Sequence, residues 1–419
     1  MTSLDKTALE ETVSILDDLI ACPTVSTDSN MAMINDMAGR LEDCGARVEI
    51  MEDATGTKAN LFATMAPDDG SPDTDGGIIL SGHSDVVPVT DQDWTHDPFR
   101  MTEEDGLLYG RGTADMKGFI AASLAFARHM KDQALTRPLH FAFTHDEETG
   151  CLGAQDMIPE LHRRGYRPAM AIIGEPTEMQ VIEGHKGCCE YTTRFTGQPG
   201  HGSNPEGGVN AAEYAARYIM KLIALRQEMK SRAPDDSPFT PPYTSMNIGG
   251  IRGGVAHNVI APSAEVDWEF RPINRDDFTY FRDSLNRFVE DTLLPEMKAG
   301  HDGAAIITTT IGEVEGLQPM DENEAKTLMM ALTGSNTAGL VAFGTEAGLF
   351  QAMGRYAGGD AGGDDGGDYG GDYGGDYGLS AVVCGPGSID QAHKADEFIS
   401  IDQLASCLTM LDGLGRKIT

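Results

Sequence analysis

Apolar residues recur along this chain with two different periods, and the pattern changes twice. Leu9, Val13, Leu16 and Ile20 fall at helical spacing, and Pro23 ends the run. Ile34, Met37, Leu41 and Cys44 repeat that spacing as far as Gly45, a plausible helix stop. Short apolar runs at Val48–Met51, Leu61–Met65 and Ile78–Ser81 predict strands. The spacing then predicts a helix over Lys117–Lys131, a strand over Leu139–Phe143, a helix over Ala154–Arg164 and a buried strand over Ala169–Gly174. Strands alternating with helices predict an α/β fold, a sheet flanked by helices on both faces.

After Gly187 the pattern changes. Glu190–Thr196, Ser245–Ile248 and Ala264–Phe270 alternate as half-exposed strands do, and helical stretches lie near Asn210–Met229 and Asp276–Met297. That is an α+β pattern of the size of one inserted domain. The first pattern then returns, with strands expected at Ala304–Thr310, Leu340–Phe343 and Ala381–Cys384. Helices are expected at Glu322–Thr333, Ala347–Met353 and Asp402–Leu414. The expected organisation is a discontinuous domain, 1–186 with 297–419, interrupted by an inserted domain, 187–296. One stretch fits neither. Tyr356–Gly378 contains only Gly, Asp, Ala and Tyr, with Gly-Gly-Asp-Tyr in tandem from Gly366. Such a composition cannot bury a core, so a low-complexity surface insertion is expected over 356–378.

Composition narrows the function. With 419 residues, 40% of them apolar, the chain can bury a substantial core, and no run approaches a membrane span. The formal charge is −35, and −29 without the six Asp of the 356–378 run. A surface so acidic repels phosphate backbones and anionic lipid, so neither nucleic acid nor membrane is an expected partner. The seven cysteines form no Cys-x-x-Cys pair, and the beginning Met-Thr-Ser-Leu-Asp-Lys is unlike a secretory leader. A cytoplasmic protein with reduced thiols is the expectation.

Candidate chemistry gathers just after the expected strands, where open α/β sheets place their ligands. His83 and Asp85 follow one strand, Glu147 and Glu148 another, and Glu175 a third. Asp115 precedes a helix, and His393 follows the last strand. His83 and Asp85, at i and i+2, should face one way, letting Asp85 fix the tautomer in which His83 binds metal. Glu147 and Glu148 should point to opposite sides, one a ligand and the other a general base. Two His and three carboxylates suit a pair of divalent ions, with Asp115 able to bridge. Mixed imidazole and carboxylate donors favour zinc, or cobalt in its place, over magnesium.

Over nearly its whole length the chain resembles the dinuclear zinc amidohydrolases, the family of acetylornithine deacetylase, succinyl-diaminopimelate desuccinylase, aminoacylase and related carboxypeptidases. The resemblance is carried by Ser81-Gly-His-Ser-Asp85, Gly110–Gly118, Asp146-Glu-Glu-Thr-Gly150, Gly174-Glu-Pro-Thr177 and Gln391-Ala-His-Lys394. It implies that His83, Asp115, Glu148, Glu175 and His393 are the ligands of two metal ions, with Asp115 bridging. It implies that Glu147 is the general base and that Asp85 supports His83. It implies that 1–186 with 297–419 is the catalytic domain and that the inserted domain is a lid that pairs two subunits into a homodimer. In Gly200-His-Gly-Ser203 it places His201 at the scissile carbonyl, reaching it across the dimer, with Gly202 where the family usually has Ser. Asn258 and Arg271 resemble substrate-binding positions, although a strand-end salt bridge would also explain Arg271.

Within that family, Phe343-Gly-Thr-Glu-Ala-Gly348 and Cys384–His393 look most like the acetylornithine deacetylase branch. The implied reaction is removal of the acetyl group from N2-acetylornithine, with Glu346 or a neighbour reading the substrate's ammonium group. The plainer account of Glu346 is a carboxylate favoured by a helix dipole. Alternatives are a deacylase for another N-acyl amino acid such as succinyl-diaminopimelate, or a small-peptide carboxypeptidase. A non-catalytic cation-binding protein, loaded through the Gly/Asp/Tyr run, is the alternative of another class.

Overall fold

A computed structural model of the chain describes residues 3–68, 70–353 and 378–419. The low-complexity run at 356–378 lies outside the described residues except for Gly378. The chain divides into two compact units. The first comprises Met1–Gly184, Pro319–Gly339 and Thr345–Thr419, and the second His185–Gln318 with Leu340–Gly344.

From the beginning, the elements are α1 (Ser3–Ile20), α2 (Met31–Asp43), β1 (Arg47–Glu52), β2 (Ala59–Met65), β3 (Ile78–His83), β4 (Thr102–Glu104) and β5 (Leu107–Tyr109). Next come α3 (Gly118–Met130), β6 (Leu139–Thr144), α4 (Leu152–Arg163), β7 (Met170–Pro176) and β8 (Ile182–His185). The chain then forms β9 (Cys188–Thr196), α5 (Ala211–Ser231), β10 (Ser245–Gly253), β11 (Ser263–Arg271), α6 (Arg275–Phe288), α7 (Leu294–Gly300) and β12 (Ala305–Val314). It closes with α8 (Glu324–Thr333), β13 (Gly339–Val341), α9 (Ala347–Met353), β14 (Ser380–Gly385), β15 (Phe398–Ser400) and α10 (Ile401–Ile418).

The first unit is built on a sheet whose strands follow the order β1-β2-β6-β3-β7-β14-β8. Its middle strands β6, β3, β7 and β14 run parallel, while β1, β2 and β8 pair antiparallel. Parallel strands are covered on both faces, so they read as continuous apolar runs rather than alternating ones. Every residue of β2, β3, β6 and β7 is buried. Leu61, Leu80, Phe141, Phe143, Ile172 and Val382 join the core formed with α1, α2, α3 and α10. The other face packs on α4 and α9. Helix ends follow local chemistry, as where Ser400 Oγ accepts from Gln403 N at 3.2 Å to start α10.

The second unit is a four-stranded antiparallel sheet, β10-β11-β9-β12, packed on α5 and α6. Aromatic rings dominate its core, with Trp268 stacked on Tyr191 and Phe270 on Phe281, both at 4.5 Å between centroids.

Two expectations need correction. The first unit does not resume at 297. β12 pairs along its length with β9, Thr308 opposite Thr193, so the second unit runs to Gln318. A strand's pattern marks which face is buried but not which sheet it joins, and that left the boundary open to error. The stretch Leu340–Gly344, expected in the discontinuous domain, also belongs to the second unit. A small sheet of order β15-β5-β4 went unanticipated, because its three-residue strands carry too little pattern to detect.

Candidate metal centre and catalytic site

Because β6, β3, β7 and β14 are parallel neighbours, their C-terminal ends open along one edge of the sheet. His83 ends β3, and Glu175 lies near the end of β7. The turn Glu147–Thr149 follows β6, and His393 lies in the loop after β14. Asp115 comes from the irregular turn Thr113–Lys117 at the head of α3. The two oxygens of Asp115 face two different imidazoles. Oδ1 is 3.1 Å from His83 Nε2, and Oδ2 is 3.4 Å from His393 Nε2. Glu148 Oε2 lies 3.0 Å from His393 Nε2, and Glu175 Oε1 lies 3.8 Å from His83 Nε2. Donor atoms of His83, Asp115 and Glu148 lie within 4.8 Å of one another, as do those of His83, Glu147 and Glu175. The structure thus gathers His83, Asp115, Glu147, Glu148, Glu175 and His393, six of the side chains that the sequence singled out.

So many acids in one buried space perturb each other. Burial, with the charges of Glu148, Glu346 and Asp115, pushes Glu147 well above the usual carboxylate range. Burial and the neighbouring acids raise Glu175 in the same way, and Glu148 rises too. Burial alone would depress His83, but Glu175, Asp115 and Asp85 outweigh it and hold the imidazole well above its ordinary value. Hydrogen bonds to Asp115 and Glu148 push His393 up to about 10. Acids that crowd and repel one another in a buried space, and hold the nearby imidazoles charged, form a donor set that fits divalent cations. His83 is also oriented as ligation needs. Its Nδ1 faces the backbone oxygen of Asp85 at 3.0 Å, and a carbonyl only accepts, so Nδ1 keeps its proton and Nε2, facing Asp115, is the nitrogen that a cation would take.

Two details differ from the sequence expectation. The Asp85 carboxylate is not the nearest partner of His83, since its Oδ1 lies 3.6 Å from Nδ1. It accepts instead from Ser26 Oγ at 2.6 Å and from the backbone N–H groups of Glu147 and Glu148 at 3.0 and 3.3 Å. Asp85 therefore anchors the acidic turn as well as lying beside the imidazole. Glu147 and Glu148 do not point to opposite sides either. They occupy a 3₁₀ turn, not an extended strand, and both reach the cluster.

Several contributors went unread in the sequence. Lys58 Nζ binds both oxygens of Asp146 at 2.5 Å, next to Glu147. Cys151 Sγ lies 3.5 Å from Glu147 Oε1. Glu397 Oε1 accepts from the backbone N–H of Ala114 and Asp115 at 2.9 and 3.1 Å. The pairings of Lys58 with Asp146 and of Glu397 with Ala114 and Asp115 span long stretches of chain, and no local motif announces them, whereas Cys151 lies four residues after Glu147. Glu346 is only 1% exposed and accepts from the hydroxyls of Thr144 and Ser81. Glu346 immediately precedes α9, whose Leu349 and Phe350 N–H groups donate to its backbone oxygen, and its side chain faces inward.

In the second unit, His201 and Asn258 lie on adjoining segments. His201 bridges Val259, and Gly202 N donates to Asn258 O at 2.8 Å. A Cβ at Gly202 would stand 3.0–3.1 Å from the Asn258 backbone, which explains a glycine at this position. His201 Nδ1 lies 2.7 Å from Ser203 Oγ and accepts from Ser203 N at 3.2 Å. Because a backbone N–H can only donate, Nδ1 is the acceptor and Nε2 carries the proton in the neutral ring. Arg271 is held by Glu269 at 3.1 Å and by Ala342 O at 3.3 Å, beside a cavity of about 670 Å³ that Lys186 also lines.

The profile of peptidase family M20/M25/M40 matches residues 79–273. An acetylornithine deacetylase from Proteus mirabilis is 36% identical over 93% of this chain and 92% of its own length. One from Yersinia pseudotuberculosis is 35% identical over 94% of each. The chain belongs to peptidase family M20/M25/M40. Membership makes it a hydrolase of a metal-dependent family. M20 folds recur among solved structures at lower identity. An M20 metallo-carboxypeptidase from Sulfolobus solfataricus has a TM-score of 0.69 at 17% identity, covering 97% of this chain and 98% of that one. A dinuclear metal binding M20 peptidase from Bacillus subtilis has a TM-score of 0.61 at 16% identity, covering 99% and 100%. A Staphylococcus aureus tripeptidase has a TM-score of 0.67 at 18% identity, covering 98% and 99%.

Proposed function

We propose that this chain hydrolyses the acetyl amide of N2-acetylornithine to ornithine and acetate. The observation that carries hydrolysis is the convergence of His83, Asp115, Glu148, Glu175 and His393 beside Glu147. The choice of substrate is supported by full-length similarity to acetylornithine deacetylases. Asp115, His83 and Glu175 would hold one divalent ion, and Asp115, His393 and Glu148 the other. Zinc, or cobalt in its place, suits these donors. When bound, such a pair supplies Lewis acidity towards a carbonyl oxygen and lowers the pKa of a water nucleophile.

The chain's own groups supply the remaining chemistry. A Glu147 oxygen takes the proton of the attacking water, and its burial raises its affinity for that proton. The same oxygen returns the proton to the departing amine nitrogen. His201 donates its Nε2 hydrogen to the oxygen that gains charge as the carbonyl becomes tetrahedral. Asn258 and Arg271 bind the rest of the substrate, with the cavity beside Arg271 and Lys186 suited to a carboxylate. Glu346 positions the ends of β3 and β6 through Ser81 and Thr144 rather than meeting the ammonium group directly.

The proposal extends to a cytoplasmic homodimer acting in arginine biosynthesis. Seven free cysteines support a reducing compartment. Among the described residues, edge strand β12 leaves Ile307 and Ile311 59% and 52% exposed, a surface suited to pairing with a second copy. An acyl-substrate panel run with added zinc or cobalt tests the reading. N2-acetylornithine should give the highest kcat/KM, and preference for succinyl-diaminopimelate or a dipeptide would replace the substrate while leaving the hydrolase.

A further inference from the structure

The two sides of the cluster are joined behind it by one buried cation. Arg111 is 1% exposed. Its Nη1 binds Glu397 Oε2 at 2.7 Å, and its Nη2 binds Gln92 Oε1 at 2.5 Å. Its guanidinium carbon lies 5.1 Å from the centre of the Trp94 ring, whose Nε1 donates to the same Gln92 oxygen at 3.1 Å. Each partner of Arg111 grips a different part of the candidate site. Glu397 accepts from the backbone N–H of Ala114 and Asp115, so it sets the segment from which Asp115 projects. Gln92 donates from Nε2 to the backbone oxygen of His393 at 3.0 Å.

His393 needs such a hold. Its φ is 61°, a left-handed conformation that non-glycine residues adopt at a cost. Its side chain is 54% exposed, against 1% for His83, so packing alone does little to fix it. The planar fork of arginine can keep two acceptors at set positions, which a lysine's point charge cannot do. We propose that Arg111 is a positioning residue that ties the Asp115 segment to the His393 loop through Glu397 and Gln92. The two cation positions are thereby set together. This rests on the reading that the cluster holds two divalent ions.

The test uses the purified full chain, with zinc counted per chain at equilibrium against zinc buffers and with thermal midpoints measured alongside. Gln92 is half-buried in the loop between β3 and β4, outside every helix and strand, so Gln92→Ala should fold normally. It should weaken one of the two ions by about 10–100-fold, as loss of an outer support does, and leave the other unchanged. Glu397→Gln should weaken both ions, because Asp115 faces both imidazoles. The double variant should lose less than the product of the two single losses, because both act through Arg111. Gln92→Ala retaining both ions at wild-type affinity would overturn the proposal. So would equal weakening of both ions accompanied by a lower thermal midpoint, the mark of a merely structural pair. Effects that multiply within about a factor of two would show two independent supports and no tie. A wild-type chain that takes up fewer than two zinc ions would instead overturn the underlying metal reading.

Discussion

In the first unit the polar side chains at the strand ends, His393 apart, are largely buried, and their backbones are pinned. His83, Asp85, Asp115, Glu175 and Glu346 are each 6% exposed or less. Asp85, Glu397 and Gln92 hold the main chain of Glu147, Glu148, Asp115 and His393. In the second unit the polar candidates are carried at the surface. His201 and Asn258 are exposed on short segments joined by a few backbone hydrogen bonds. The contrast suits a division of labour. Cations and a base need donors fixed before anything binds, because charged groups reorganising in a dry site would be costly. In the proposed reaction, a group that meets substrate from outside needs access first and can be fixed by one neighbour, as Ser203 holds the His201 ring.

That contrast can be broken at several points. Glu147→Gln keeps the size of the side chain and removes its basicity. It should lower kcat by about 10²–10⁴-fold in a hydrolysis assay, the contribution typical of a general base. His201→Ala should lower kcat by about 10²–10³-fold, as loss of one donor to an oxyanion does, without changing the zinc content. If zinc fell too, the separation between a prearranged cluster and a surface donor would fail. Asp85→Ala should weaken zinc affinity or turnover by about 10–100-fold, because it releases the acidic turn and leaves buried N–H groups unpaired. Wild-type values for that variant would mean the turn holds itself.

The smallest effect concerns how dry the first unit's interior is. His140 lies on β6, buried beside Phe62 and Tyr166, and burial depresses its pKa to about 3. The unfolded chain takes up this proton near pH 6.5, whereas the native chain does not until about pH 3. Stability is therefore fully present above about pH 6.5 and is lost as pH falls towards the native value, by about 1.4 kcal/mol per pH unit. Denaturant titrations of wild type and His140→Asn should show the wild-type advantage shrinking from pH 6.5 to 5. A constant difference would mean that His140 titrates in the native protein and that the interior admits water there.

Much of this was legible in the chain. Buried parallel strands leave short apolar runs, and residues such as His83 and Glu175 directly after or within such runs gather wherever those strands lie side by side. The direction of a side chain was less legible. Glu147 and Glu148 were expected on opposite sides because an extended backbone was assumed, and a 3₁₀ turn removes that alternation. Long-range supports were not legible at all. Arg111 meets Glu397 across 286 positions, and nothing near either residue signals the other. β12 was assigned to the wrong unit because its pairing with β9 depends on tertiary packing, which periodicity does not encode.

The roles of the two adjacent glutamates remain the crux, since Glu147 stands within ligand distance of His83 and Glu175. Zinc counted in purified Glu147→Gln beside wild type, with turnover measured on the same samples, tests this most directly. The account predicts two ions per chain in both proteins and turnover only in the wild type. A variant that retains one ion or none would contradict it, making Glu147 a ligand and removing the proposed base.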